Sequence, residues 1–172
     1  MDLDAFYRAI NKVEPSLIRV EADELTYHLH ILIRFELEES LVHEKLSVDD
    51  LPEAWNEKMR AYLGVVPQSA DQGVLQDIHW SMGMVGYFPT YTLGSLLAAQ
   101  LYQQAVESKP EIEDELAQGH CRTLCQWLRE NLYEHGSKWT PPELVKRVTG
   151  GPLTADPFLS YARAKYGELY GL

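Results

Sequence analysis

From Ile78 to Val106 the chain carries no Asp, Glu, Lys or Arg, although charged residues make up 24% of the whole sequence. A charge-free stretch of that length has to be covered by lipid or by protein, and its interruptions decide which. Gly83, Gly86, Pro89 and Gly94 break it, and Gln100, Gln103 and Gln104 occupy its second half. It therefore lacks the roughly 18 unbroken apolar residues of a spanning helix. The stretch predicts a helix buried in a soluble core, with Pro89 in its first turn and its end near Ser108. Its opening is unusual for plain core. Asp77, His79, Trp80, Tyr87 and Tyr91 bring titratable and polar groups to the mouth of an apolar helix. Buried polar groups need partners, so the cluster marks an internal hydrogen-bond network or a site.

Composition narrows the class. With 172 residues, 45% of them hydrophobic, the chain can form one helical domain, residues 1–172, that buries about 70% of its unfolded surface. A net charge of −11 argues against nucleic acid and anionic membranes as partners, since both need a basic surface. Cys121 and Cys125 make no disulfide framework, and no signal peptide is legible at the start, so a cytoplasmic setting is expected. His120-Cys121-x-x-x-Cys125 lacks further ligands nearby in sequence and reads as ordinary helix rather than a metal site.

The remaining punctuation predicts an all-α fold of about six to eight helices. A short helix spans Asp2 to Asn11, and Pro15 breaks it. Ser16 then caps a long helix to about Leu41. Ile18, Ala22, Leu25, Leu29, Ile33 and Leu37 form its core stripe, and Arg19, Asp23, Thr26 and His30 a second stripe. A third helix starts at Asp50-Leu51-Pro52, turns Trp55, Met59 and Tyr62 inward, and stops at Gly64. Glu111 to Tyr133 reads as one amphipathic helix. Thr140-Pro141-Pro142-Glu143 and Asp156-Pro157 open the last two.

Three segments hold the candidate chemistry: Ile18–Asp23, Gly73–Trp80 and Gly86–Tyr91. Arg19 is a fixed cation able to grip a carboxylate with two parallel hydrogen bonds. His79 can donate a hydrogen bond, with Asp77 or a backbone carbonyl setting its tautomer. Tyr87 and Tyr91 can offer hydroxyls to a developing oxyanion. Read as plain structure, the Arg19 stripe is a solvated edge with an Arg19–Asp23 pair worth about 0.3–0.5 kcal/mol.

Taken together, IRVEAD, GVLQDIHW and GYFPTYTLG resemble the motifs of the Taq-type zinc metallocarboxypeptidases, whose signatures include I-R-x-x-A-D and G-x-x-Q-D-x-H-W. The flanking text, AINKVEPSLIRVEADELTY and LPEAWNEKMRAYLG, is similar too. The resemblance implies a helical fold with a deep cleft, homodimers, and removal of single residues from peptide C-termini. It implies Arg19 as a substrate-positioning residue that meets the terminal carboxylate, and His79 as a donor to substrate or transition state. Tyr87 or Tyr91 would stabilise the tetrahedral intermediate, while Asp23, Gln76 and Asp77 hold Arg19 and His79 in place.

The departure lies on the metal side. Enzymes of this type bind zinc through H-E-x-x-H and a later glutamate, all upstream of I-R-x-x-A-D. Residues 1–17 contain neither motif, and His43-Glu44-Lys45-Leu46-Ser47 lacks the second histidine. No zinc site and no other cofactor is expected in this chain. Two functions follow. The chain is the C-terminal part of such an enzyme, inactive alone, or a stand-alone helical protein that binds peptide C-termini or self-associates. Either way, an apolar face left uncovered predicts a homo-oligomer.

Overall fold

The long helix expected from Ser16 to Leu41 begins only at Thr26. The computed structural model describes residues 2–172. Among these, Ile18 is extended, Arg19–Glu21 forms a single 3₁₀ turn, and helix α2 runs Thr26–Val42. Asp23 is the cause. Its Oδ1 accepts the Leu25 and Thr26 backbone N–H groups at 2.9 and 3.0 Å, and its Oδ2 accepts the Thr26 hydroxyl at 2.7 Å. A carboxylate satisfying the first free N–H groups of a helix fixes where that helix starts. The chain before it is set free to turn.

The described residues form eight α-helices and no strand, as the turn signals predict. They fall into two compact units, Met1–Thr92 and Leu93–Leu172. The first holds α1 (Leu3–Ile10), α2, α3 (Leu51–Leu63) and the opening turn of α4 (Pro89–Ser108). Ser47 and Asp50 exchange hydrogen bonds before α3, Pro52 sits in its first turn, and Gly64 ends it at φ 71°, a conformation that favours glycine. Four-residue steps place Leu51, Trp55, Met59 and Leu63 on one stripe. They pack against Ile33 and Leu37 of α2, with Leu17, Val74 and Trp80 closing the sides. Burying such side chains stabilises by about 1.5–3 kcal/mol each. Tyr62, expected inward, is exposed, and its hydroxyl donates to Glu36.

The second unit builds its core from Leu101 and Ala105 of α4, Ile112 of α5 (Glu111–Ala117) and Trp127 of α6 (Arg122–Asn131). The single helix expected over Glu111–Tyr133 is thus split. Gly119 stands at φ 77°, and Glu115 turns back to accept the Thr123 backbone N–H at 3.0 Å and its hydroxyl at 2.7 Å, starting α6 afresh. Leu116, near the end of α5, is exposed. Helix α7 (Pro141–Thr149) carries the capping box read in Thr140 and Glu143, and α8 (Asp156–Tyr170) follows. Helix α4 is less buried than its charge-free sequence predicts. Only Leu101 and Ala105 are fully enclosed, and Gln100 latches its flank by donating to Thr149 and to the Pro152 carbonyl. No helix of the described residues is long and apolar enough to cross a membrane.

Candidate functional site

All the sequence candidates lie in the first unit, and a glutamine stitches their two segments together. The 3₁₀ turn leaves the Arg19 backbone N–H pointing away from any helix, and it donates to Gln76 Oε1 at 2.9 Å. The Gln76 amide in turn donates to the Leu17 and Gln72 carbonyls at 3.1 and 2.9 Å. Gly73 lets this loop close. A Cβ there would meet Pro67 Cβ at 3.3 Å and the Ser69 carbonyl at 3.4 Å, tighter than most side chains tolerate.

Beside that stitch, Asp77 is shared by two arginines. Arg19 donates to Oδ1 from Nη2 at 2.7 Å and Nε at 3.1 Å. Arg34 of α2 donates to Oδ2 from Nε at 2.7 Å, and its Nη1 donates to the His30 carbonyl at 2.8 Å. Two guanidiniums thus share one carboxylate, while a second buried acid, Glu38, one turn after Arg34 on α2, accepts the Trp80 indole N–H at 2.7 Å. Burial alone would raise the Asp77 carboxyl, but the hydrogen bonds and charges of both arginines outweigh it and hold it below the ordinary range. Burial pulls Arg34 the other way, down to about 10, even with Asp77 supporting its charge. For Arg19, the hydrogen bonds and charges of Asp77 and Tyr27 overcome burial and push it up. Both arginines sit among rings. Arg34 Cζ is 4.6 Å from the Trp55 centroid and Arg19 Cζ is 5.2 Å from that of Tyr91.

His79 occupies the next position out. Its ring packs on Phe88 at 4.3 Å between centroids, and its Nε2 lies 3.0 Å from the Tyr91 hydroxyl. Tyr87 lies 5.7 Å from the same ring and edge-on to Tyr91 at 5.4 Å. Gly86, at φ 80°, turns the chain immediately before Tyr87 and Phe88, so that both rings reach His79. Asp77 does not hydrogen-bond the imidazole. Its Oδ1 is 3.9 Å from Nδ1, beyond hydrogen-bonding range, and Nδ1 is buried without a partner. Exposure grades the set: Arg19 and His79 are buried at 7% and 8%, and Tyr87 is open at 41%.

The structure brings Arg19, Gln76, Asp77, His79, Tyr87 and Tyr91 together, and leaves Asp23 aside. The Arg19–Asp23 pair expected from their four-residue spacing is not formed, because Asp23 spends both oxygens on the start of α2 and on the Glu14 backbone N–H at 3.0 Å. Burial would raise its carboxyl, and those donors hold it low. Sequence reasoning missed Arg34 and Phe88. Arg34 sits between Ile31-Leu32-Ile33 and Phe35, where an arginine among apolar residues is itself the signal that an acid is buried with it. His30, fully buried beneath Arg34, is pulled down to about 4 by burial and by that charge.

No three of His, Cys, Asp and Glu among the described residues approach closely enough to hold a metal ion, and Cys121 and Cys125 are exposed free thiols. Arginines take up both oxygens of Asp77, the acid beside His79, which leaves that pair unfit as ligands for a zinc ion. What the side chains offer here is hydrogen-bond donors, which suit an anion better than a cation.

Comparison with known proteins gives this geometry its context. The chain is 52% identical over 171 residues to thermostable carboxypeptidase 1 of Thermus thermophilus, covering 99% of this chain and 34% of that protein. It is 46% identical over 170 residues to carboxypeptidase 1 of Bacillus subtilis, again 99% of this chain and 34% of the relative. The crystal structure of the M32 carboxypeptidase from Deinococcus radiodurans R1 superposes with a TM-score of 0.94 at 49% identity, over 97% of this chain and 34% of that one. The chain thus spans about a third of the length of the relatives it matches. Residues 1–166 match one family throughout, described as carboxypeptidase Taq (M32) metallopeptidase, and this chain belongs to it.

Proposed function

We propose that this chain forms the peptide-holding wall of a metallocarboxypeptidase cleft and takes no direct part in binding the metal. The observation that carries this reading is the Arg19 guanidinium, held on Asp77 with Arg34 behind it and placed beside His79 and the two tyrosines. A peptide that ends in a free carboxylate brings the matching charge. Asp77 occupies Nε and Nη2 of Arg19 and the Tyr27 hydroxyl accepts from Nη1 at 3.3 Å, so the group acts on the carboxylate through its remaining N–H hydrogens and its field, rather than as an open fork. His79 donates a hydrogen bond from Nε2, exchanging the Tyr91 hydroxyl for the peptide or for the oxyanion that develops on its scissile carbonyl. Tyr91 holds the His79 ring, and the open Tyr87 hydroxyl supplies the second donor. Gln76 and Asp77 keep Arg19 and His79 in register. Zinc-bound water, implied by the family resemblance, would supply the nucleophile from residues outside this chain.

Binding separates this reading from its alternatives. The chain should bind N-acetyl-alanyl-alanine and ignore the corresponding C-terminal amide, and Arg19→Ala should abolish the difference. Equal binding of acid and amide overturns the reading. Mixing with a separately produced H-E-x-x-H-bearing portion of the relative from Thermus thermophilus should restore release of C-terminal residues. A chain that discriminates acid from amide yet never restores release is instead a stand-alone binder of peptide C-termini.

A further inference from the structure

We infer that Arg34 is a positioning residue for this site: it takes one oxygen of Asp77 so that the other is left to Arg19, and so fixes the place of the Arg19 charge that meets an anion. The inference rests on the proposed grip on a peptide carboxylate and assigns its origin to a residue that touches no substrate.

Geometry is the first support. Arg34 has no exposed surface, so it cannot itself reach a peptide. Its guanidinium is fixed on three sides: Nε on Asp77 Oδ2 at 2.7 Å, Nη1 on the His30 carbonyl one helical turn earlier at 2.8 Å, and Trp55 across its face at 4.6 Å. Phe88 lies 5.3 Å from the same group, and Phe88 is also the ring on which His79 packs. One side chain in rigid α2 therefore touches the supports of both Arg19 and His79.

Energetics is the second. Arg19 and Asp77 would be charge-balanced alone. A second buried guanidinium costs several kcal/mol of desolvation, and replacing buried ion pairs with apolar residues is often neutral or stabilising. A fold selected for stability alone gains nothing from Arg34. The Nη2 nitrogen is buried without a partner, a further cost that a merely structural arginine would avoid. Around the guanidinium, Asp77 is the acid that pairs with it, Glu38 is a second buried acid one turn on, Arg19 is a second cation and His30 is held neutral.

The test compares Arg34→Met and Arg34→Lys in the full chain, with two readouts. Titration with N-acetyl-alanyl-alanine should show Arg34→Met binding about tenfold more weakly or worse, a loss of the size that removing a supporting partner inflicts on a bound group. Arg34→Lys, which keeps the charge, should recover part of it, and binding of the amide should not change. In ¹⁵N spectra the Arg19 Nε–H and His79 ring signals should move in both variants. Unchanged binding with unmoved Arg19 and His79 signals overturns the inference. Should Arg34→Met fail to fold, Arg34→Lys decides alone: signals and affinity that match the parent overturn it, and displaced signals with partial affinity sustain it. Should the parent chain fail to distinguish acid from amide, the proposed function falls. The Arg19 and His79 signals then decide the positioning role by themselves.

Discussion

Asp77 sits between two cations, and that arrangement fixes what its removal does. Asparagine at this position keeps the shape but leaves Arg19 and Arg34 facing each other, two positive charges with no acid between them. Breaking a buried pair by removing one partner costs about 3–5 kcal/mol. Asp77→Asn should lower the unfolding free energy from urea titration by that amount at neutral pH, and a loss below about 1 kcal/mol would contradict the buried network. The same carboxyl is held below its ordinary value, so its contribution is present above pH about 3.8 and is lost as pH falls through the lower folded value. His30 works over a different window. Its folded value is depressed from 6.5 to about 4, so between those limits the unfolded chain binds a proton that the folded chain refuses. Stability should therefore fall from pH 6.5 towards 4 with a slope of up to about 1.4 kcal/mol per pH unit from this group. Urea midpoints measured from pH 7 to pH 4.5 should be flatter in His30→Leu than in the parent. A parent and variant with the same slope would exclude His30 as the cause.

At the scale of the element, caps rather than stripes locate the helices. Helix α7 begins where Thr140 and Glu143 exchange hydrogen bonds, with the Glu143 carboxylate accepting from the Thr140 backbone at 2.9 Å and from its hydroxyl at 2.7 Å. Thr140→Ala removes half of that exchange and should cost about 1 kcal/mol, read as a lower thermal midpoint, while Thr140→Ser should restore most of it. An alanine variant as stable as the parent would mean α7 is held by packing alone. Local signals of this kind made α3, α7 and α8 legible, since Pro52, Gly64, Thr140 and Asp156 act within one turn of the residues that read them. The misread helices failed for one shared reason. Ile18, Ala22 and Leu25 continue the apolar period of α2, yet Asp23 caps it from inside that run. Likewise Glu115 caps α6 from inside the expected helix 111–133. An acid in mid-helix and an acid turned back as a cap look the same in sequence. The candidate site divides likewise. Arg19, Gln76, Asp77, His79 and the two tyrosines stood out because they cluster in motifs. Arg34 lies 43 positions from Asp77 and in no motif, and only the fold joins them.

For the whole molecule, surface and charge pull in opposite directions. Like charges at −11 net keep copies apart at low ionic strength. Against that, α1 places Leu3, Phe6, Tyr7 and Ile10 at three- and four-residue steps on one face, and none of its residues is buried. Leu3 is 77% exposed and Ile10 63%, a stripe that an amphipathic helix ordinarily covers. The repulsion is screened beyond about 8 Å at 0.15 M salt, whereas the apolar term does not weaken with salt. Self-association should therefore strengthen as salt is added. In sedimentation velocity at 0.15 M salt, the chain should show a weight-average mass that rises with concentration, and more steeply at 0.5 M. Phe6→Glu combined with Ile10→Glu should hold it at the monomer mass in both buffers, with an unchanged far-ultraviolet spectrum, because neither side chain supports the core of the first unit. A parent chain that stays monomeric at 0.5 M salt would show that the α1 stripe is stable in water as it stands. A double variant that still associates would move the contact to another surface.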